Sequence, residues 1–398
     1  MNMPEIRFKD FKNEWKHFSF KEITYKAGIK NSENLSLESY SISNELGFIP
    51  QKEQFENGGT MSKADKRMYY IVSSNSFAYN PARINVGSLG YYQGIKDVIV
   101  SSLYEVFKTS DLVDDLFLLY WFKTNIFKRM IEQYQEGGVR LYFFFDKLQK
   151  CQIKIPSLQE QQKIASYFQK LDSLIQVTSK ELASLKQIKA ASLQSMFPQE
   201  GETVPKVRFK GFEGEWEEKS FSALYKKSII KNDLTFGTDK IISVANMYYL
   251  TNVNVSDLEY LKTYNIMKFG DIAFEGNKSK RFLHGRFVEN TIGDGIVSHV
   301  FVVFHPISAE HDINYWKYAI NNENIMRNVL VRCTKSSTMM TDLVVDDFLK
   351  ETILVPSYAE QQKIGAYLRN LDRQISLQTQ RLEKLKQIKA ACLDKMFA

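Results

Sequence analysis

A phosphate-cradling loop needs G-x4-G-K-[ST], because its amides and lysine wrap the anion. Gly270–Ser279 (GDIAFEGNKS) has one spacer residue too many and Asn277 before Lys278, so it reads as a basic loop and not an ATP site. Tyr79-Asn80-Pro81-Ala82 starts like the catalytic N/D-P-P-Y/F loop of methyltransferases, but the second proline and the aromatic are missing. No glycine-rich cofactor loop precedes it. The histidines His17, His284, His299, His305 and His311 form no HExxH or other paired metal spacing, and His299, within a strand pattern, reads as a core or edge residue. Asp114-Asp115 and Asp346-Asp347 flank predicted helices, where carboxylates favour the positive N-terminal end. The chain thus offers no catalytic residue, metal ligand or cofactor loop of known pattern.

Any other chemistry must come from binding. The chain has 398 residues and a net charge of +7. Split at residue 200, it holds 26 basic and 22 acidic residues, or +4, then 27 and 24, or +3. The excess is spread over both halves, compatible with local patches for a polyanion and equally with an ordinary surface. Cys151, Cys333 and Cys392 lie far apart and predict free thiols in a reducing cytoplasm. No apolar run of membrane-spanning length occurs, and the opening MNMPEIRFKDFKNEW lacks the apolar stretch of a signal peptide.

The dominant feature is a tandem repeat of about 200 residues. Pro156–Phe197 aligns without gaps on Pro356–Phe397 with 22 of 42 positions identical, and Pro4–Trp15 (PEIRFKDFKNEW) matches Pro205–Trp216 (PKVRFKGFEGEW) at 7 of 12. Between these ends the halves have diverged, apart from an echo of Ile99–Phe107 in Ile296–Phe304, each read as one half-buried strand. The closing segments predict long helices. Ile164, Phe168, Leu171, Ile175, Thr178, Leu182 and Leu185 alternate by four and three residues, as do their partners 200 positions on, which is a coiled-coil seam. Thr178 and Gln378 place a polar residue at the same seam position. Ser157 with Glu160, and Ser357 with Glu360, predict capping boxes. Two related helices in one chain can bury their stripes on each other, and antiparallel pairing suits a pseudo-two-fold repeat.

The expected class is α+β. Two mixed α/β domains, 1–155 and 199–355 with its linker, are followed by long helices at 156–198 and 356–398. Asp115–Gln133 and Asn314–Asn328 read as single amphipathic helices against a sheet, with mostly core aromatics.

The order P-x-[IV]-R-F-x-x-F-x-x-x-W, variable region, P-S-x-x-E-Q-Q-K-I, then a helix ending L-K-Q-x-K, all repeated, resembles the DNA specificity subunits of type I restriction–modification enzymes. The resemblance spans essentially the whole chain. It implies two target-recognition domains, each reading one half of a split, asymmetric site on double-stranded DNA. It also implies an antiparallel coiled coil that spaces them, two docked methyltransferase subunits and two motor-nuclease subunits. S-adenosylmethionine, ATP and Mg would then belong to those partners, and the chain would be non-catalytic. A coiled-coil scaffold binding only proteins, and an enzyme with an unfamiliar site, are the rival readings.

Arg and Lys pair with guanine and Asn and Gln with adenine in the major groove. On residue type, the first domain's DNA contacts are Lys63, Arg67, Arg83, Asn85, Tyr91, Gln93 and Arg140. Those of the second are Asn277, Lys278, Lys280, Arg281 and Arg286, with Lys335 in a TKSST loop standing where the first domain has Gly-Gly-Val-Arg. A solvated loop position is the alternative for each. Gln161, Gln162, Lys163, Lys186 and Lys189, with Gln361, Gln362, Lys363, Lys386 and Lys389, repeat at outward positions of the helices and are expected to dock the methyltransferases; shared descent is the other explanation.

Overall fold

A computed structural model describes residues 3–44, 46–54, 65–251, 253, 257–280, 282–336 and 340–397. The chain forms two compact units, Met1–Thr178 with Arg381–Ala398, and Ser179–Gln380. Each unit therefore contains one variable domain and parts of both long helices.

In the first unit the opening strand β1 (Lys16–Ser19) pairs antiparallel with β8 (Gln152–Ile155), which leads into the first long helix. Between them β2 (Thr24–Lys26), β7 (Glu105–Thr109), β5 (Ser76–Tyr79) and β6 (Leu89–Tyr92) form a four-stranded antiparallel sheet in that order. A hairpin of β3 (Tyr40–Ser43) and β4 (Gly47–Pro50) lies beside it. Helices α1 (Asp115–Trp121) and α2 (Asn125–Tyr134) follow, then the long α3 (Leu158–Ser195).

The second unit repeats the plan. Here β9 (Glu217–Ser220) pairs with β18 (Thr352–Val355), and β10 (Tyr225–Lys227), β15 (Val302–Pro306), β13 (Ile272–Glu275) and β14 (Arg286–Glu289) make the sheet. The hairpin is β11 (Ile242–Ser243) with β12 (Tyr248–Tyr249); a further hairpin joins β16 (Thr334–Ser336) to β17 (Thr341–Leu343). Its helices are α4 (Ile313–Ala319), α5 (Glu323–Cys333) and the long α6 (Tyr358–Lys395).

Four expectations are corrected. Each supposed single helix is two, because Thr124 and Asn322 act as N-caps whose side chains accept from Phe127 N and Asn324 N, restarting the backbone. Each supposed single strand is strand–turn–strand: Tyr104 N donates to Ser101 O at 3.1 Å, and Phe301 N to Ser298 O at 3.0 Å. His299 lies exposed in the second of these turns rather than in a strand. The capping box expected at Ser357 is half made, and at Ser157 the Glu160 carboxylate is bonded to Arg7 instead. Ser357 Oγ accepts from Glu360 N at 3.4 Å, but the Glu360 carboxylate turns to Arg208.

The long helices pair antiparallel inside each unit. In the first, Tyr167 meets Cys392 (3.6 Å) and Asp172 meets Lys389; in the second, Glu181 meets Gln378 (3.2 Å), Lys189 meets Asp372, and Ser192 meets Tyr367 (3.3 Å). As one number rises the other falls. The seam residues Ile164, Phe168, Leu171, Thr178 and Leu182 are buried, as are Ile364, Leu368, Leu371 and Leu382.

Each core is completed by the helix end of the other repeat. Phe397 packs against Phe117 and Phe168 in the first unit, and Phe197 against Trp216 and Tyr315 in the second. At the same junctions Ile6 N donates to Lys395 O and Val207 N to Ser195 O, both at 2.9 Å. The three cysteines are free and buried.

Candidate nucleic-acid interface

The repeated opening and closing motifs explain one another. Arg7 donates through Nε and Nη2 to both oxygens of Glu160, each at 2.7 Å, and Arg208 grips Glu360 identically. Both glutamate side chains are 1% exposed. Such bidentate, charge-assisted bonds fix orientation as well as distance. Gln161 accepts from Asp114 N (2.8 Å) and donates to Leu112 O and Pro156 O; Gln361 accepts from Asp312 N (3.3 Å) and donates to Pro356 O. Gln161 and Gln361 are therefore buried fasteners between long helix and domain, not outward docking residues.

Lys189 and Lys389 are also committed internally. Lys389 bonds Asp172, which accepts the Tyr120 hydroxyl at 2.9 Å, and Lys189 bonds Asp372, which accepts that of Tyr318 at 2.6 Å. Burial first, and then the bonded carboxylate, hold both phenols well above their ordinary range. Each Tyr–Asp–Lys set ties a domain to both long helices. Among the expected docking residues Gln162, Lys163, Lys186, Gln362, Lys363 and Lys386 are exposed, with Lys163 bonded to Asp10 (2.6 Å) and Lys386 to Glu383 (3.3 Å).

The loops singled out in the two domains prove to be the same connection. Residues 80–88 link β5 to β6, and 276–285 link β13 to β14, the equivalent strand pair. In each unit a second loop is bonded to the first. Phe143 N donates to Pro81 O (3.1 Å) beside the 136–142 turn, and Thr341 N donates to Gly276 O (2.8 Å) beside the β16–β17 hairpin. A Cβ at Gly276 would stand 2.2 Å from Thr341 O, so only glycine permits this approach. Lys278 Nζ bridges further to Ser336 Oγ at 2.5 Å.

On this paired-loop face the first unit exposes Arg83, Asn85 and Arg140, and the second exposes Asn277, Lys278, Lys280 and Lys335. Arg67 and Gln93 are exposed outside the two loops. Lys63 and Arg281 lie outside the described residues, as do Ser337 and Thr338 of the TKSST loop.

Two candidates are structural instead. The Tyr91 hydroxyl donates to Asp115 (2.7 Å) and lies 3.0 Å from Asn75 Oδ1 with its ring on Phe77, and burial first, then Asp115, raises its pKa above the ordinary phenol range. Arg286 is spent on the 6%-exposed Glu275 (2.6 Å) and on Ala245 O (2.8 Å). Among the described residues no group of His, Cys, Asp and Glu could hold a metal, and no helix is long and apolar enough to cross a membrane.

The sequence model of the type I restriction modification DNA specificity domain matches twice, over residues 12–187 and 214–387. The chain belongs to that family. It is a DNA sequence-specificity subunit, and the protein-only scaffold is not favoured. The fold is that of the type I restriction–modification S subunit from M. genitalium, at 13% identity and TM-score 0.58, covering 100% of this chain and 99% of that one. The HsdS subunit from Thermoanaerobacter tengcongensis gives 13% and 0.51 over 96% of both chains. A chain from a structure of type I R-M complex assembly and conformational transition gives 12% and 0.50, covering 96% and 97%. No curated protein matches in sequence.

Between the two units the paired loops carry different side chains on the same frame. Arg7–Glu160 and Arg208–Glu360 keep the same geometry in both units, whereas the connection that carries Arg83 and Asn85 in the first carries Asn277, Lys278 and Lys280 in the second.

Proposed function

We propose that each domain reads one half of a bipartite, asymmetric site on double-stranded DNA through its paired-loop face, while the helix pair sets the unread interval. Carrying this reading is the same two-loop face in both units, built on matching backbone bonds and bearing different side chains. A device for two unrelated half-sites needs constant geometry and variable chemistry. On this face Arg83, Asn85 and Arg140 contact the first half-site and Asn277, Lys278, Lys280 and Lys335 the second, while Arg67 and Gln93 contact the first from outside the two loops. Lys63 and Arg281 remain candidates on residue type alone.

The exposed helix positions Gln162, Lys163 and Lys186, with Gln362, Lys363 and Lys386, dock two methyltransferase subunits, and two motor-nuclease subunits complete the assembly. The chain itself is non-catalytic and works in the cytoplasm. S-adenosylmethionine, ATP and Mg act on its partners. The test is to combine the chain with its neighbouring methyltransferase, S-adenosylmethionine and genomic DNA and to map the methylated bases. A bipartite motif is expected. Unmethylated DNA beside a stable protein complex refutes the reading, as does methylation by the chain alone.

A further inference from the structure

In the first unit the 80–88 loop and the turn of the β3–β4 hairpin enclose a polar cavity of about 280 Å³. Its wall is fixed from within: Ser88 Oγ donates to Ile42 O (3.1 Å) and Asn80 Oδ1 accepts from Ala82 N (3.0 Å). At its rim Arg83, Asn44 and Gln54 are exposed, and none has a side-chain hydrogen bond or ion pair among the described residues. Three heads of the types that recognise purine edges converge on a preformed wall with their bonding capacity unspent.

The second unit handles the same place differently. Arg286 and Glu275 sit opposite each other in β14 and β13, and Arg286 reaches Ala245 O at the equivalent hairpin turn. The corresponding facing pair in the first unit is Leu89 and Tyr79, which supplies no carboxylate to neutralise Arg83. An anchor for phosphate serves both half-sites alike and belongs in both domains. At this position the second unit pairs its arginine with a carboxylate, whereas Arg83 keeps its donors for a base edge.

We propose that this cavity is a base-reading site of the first domain, with Arg83 taking the O6 and N7 of a guanine and Gln54 or Asn44 meeting the neighbouring base. This deepens the reading above and rests on it. A bidentate Arg–guanine pair discriminates by about 1–3 kcal/mol, or roughly five- to 150-fold.

The experiment maps methylation by the full complex carrying the wild-type chain, Arg83→Ala, Arg83→Lys or Gln54→Ala. Expected is a single guanine position of one half-site that becomes degenerate with Arg83→Ala, by about that factor, while the other half-site is unchanged. Arg83→Lys keeps the charge and loses the fork, and relaxes the same position. An unchanged motif with uniformly weaker binding and a salt slope lowered by about 0.9 makes Arg83 a phosphate contact and overturns the proposal. Loss of preference in both half-sites overturns it as well. A wild-type complex that marks no bipartite motif refutes the underlying reading instead, so the two failures are distinct.

Discussion

Replacing Arg7 by methionine strands the Glu160 carboxylate, 1% exposed, without either of its 2.7 Å partners. Breaking a buried ion pair from one side costs about 3–5 kcal/mol, because a charge remains where water cannot reach it. For a unit of this size each kcal/mol moves the melting temperature by about 2–4 °C, so Arg7→Met should lower it by roughly 6–20 °C. Adding Glu160→Gln removes the stranded charge and should recover a large part of the loss. Calorimetry on both variants tests this, with Arg208→Met as the replicate in the second unit. A single-variant loss below about 1 kcal/mol, or a double variant less stable than the single, refutes the reasoning.

Asp172→Ala leaves the Tyr120 hydroxyl and Lys389 without their shared acceptor, and urea unfolding should show a loss of about 1–3 kcal/mol, with Tyr120→Phe costing less. Lys278→Gln and Lys280→Gln should each weaken DNA binding in a salt-dependent way, and a salt titration of affinity should show the slope of log affinity against log salt lowered by about 0.9 for each. Burial beside Trp316 pushes the His311 imidazole down to about 4, so between there and its ordinary value near 6.5 the unfolded chain binds a proton the native state refuses. Stability of the second unit should therefore fall as pH drops through that window, by up to about 3 kcal/mol. Its partner Glu289, raised by burial, tilts the opposite way, so the readout is the difference between wild type and His311→Asn at pH 7 and pH 5.

The helices and their seam were legible because a four–three alternation over seven positions admits one structure, and the repeat showed that two such rods share a chain. The helix breaks were not, since Thr124 and Asn322 compete with an otherwise continuous apolar pattern through a single side-chain oxygen each. Gln161 and Gln361 misled for a related reason: repetition marks constraint without saying whether the constraint faces inward or outward. A usable signal was present. Arg7 and Glu160 recur as Arg208 and Glu360 almost in step, which points to a pair. Tyr91 and Arg286 looked like DNA ligands on type alone, and only geometry shows their donors already taken. The hairpin turns carried a short echo, Ser41-Ile42-Ser43-Asn44 against Ser243-Val244-Ala245-Asn246, too brief to find without the fold.

The bonds Ile6–Lys395 and Val207–Ser195 are the same joint made once in each unit. Neither repeat closes its own core, because Phe197 and Phe397 each serve the opposite one. A foreign repeat can therefore be spliced in and still be accepted, provided it brings a helix ending in that phenylalanine.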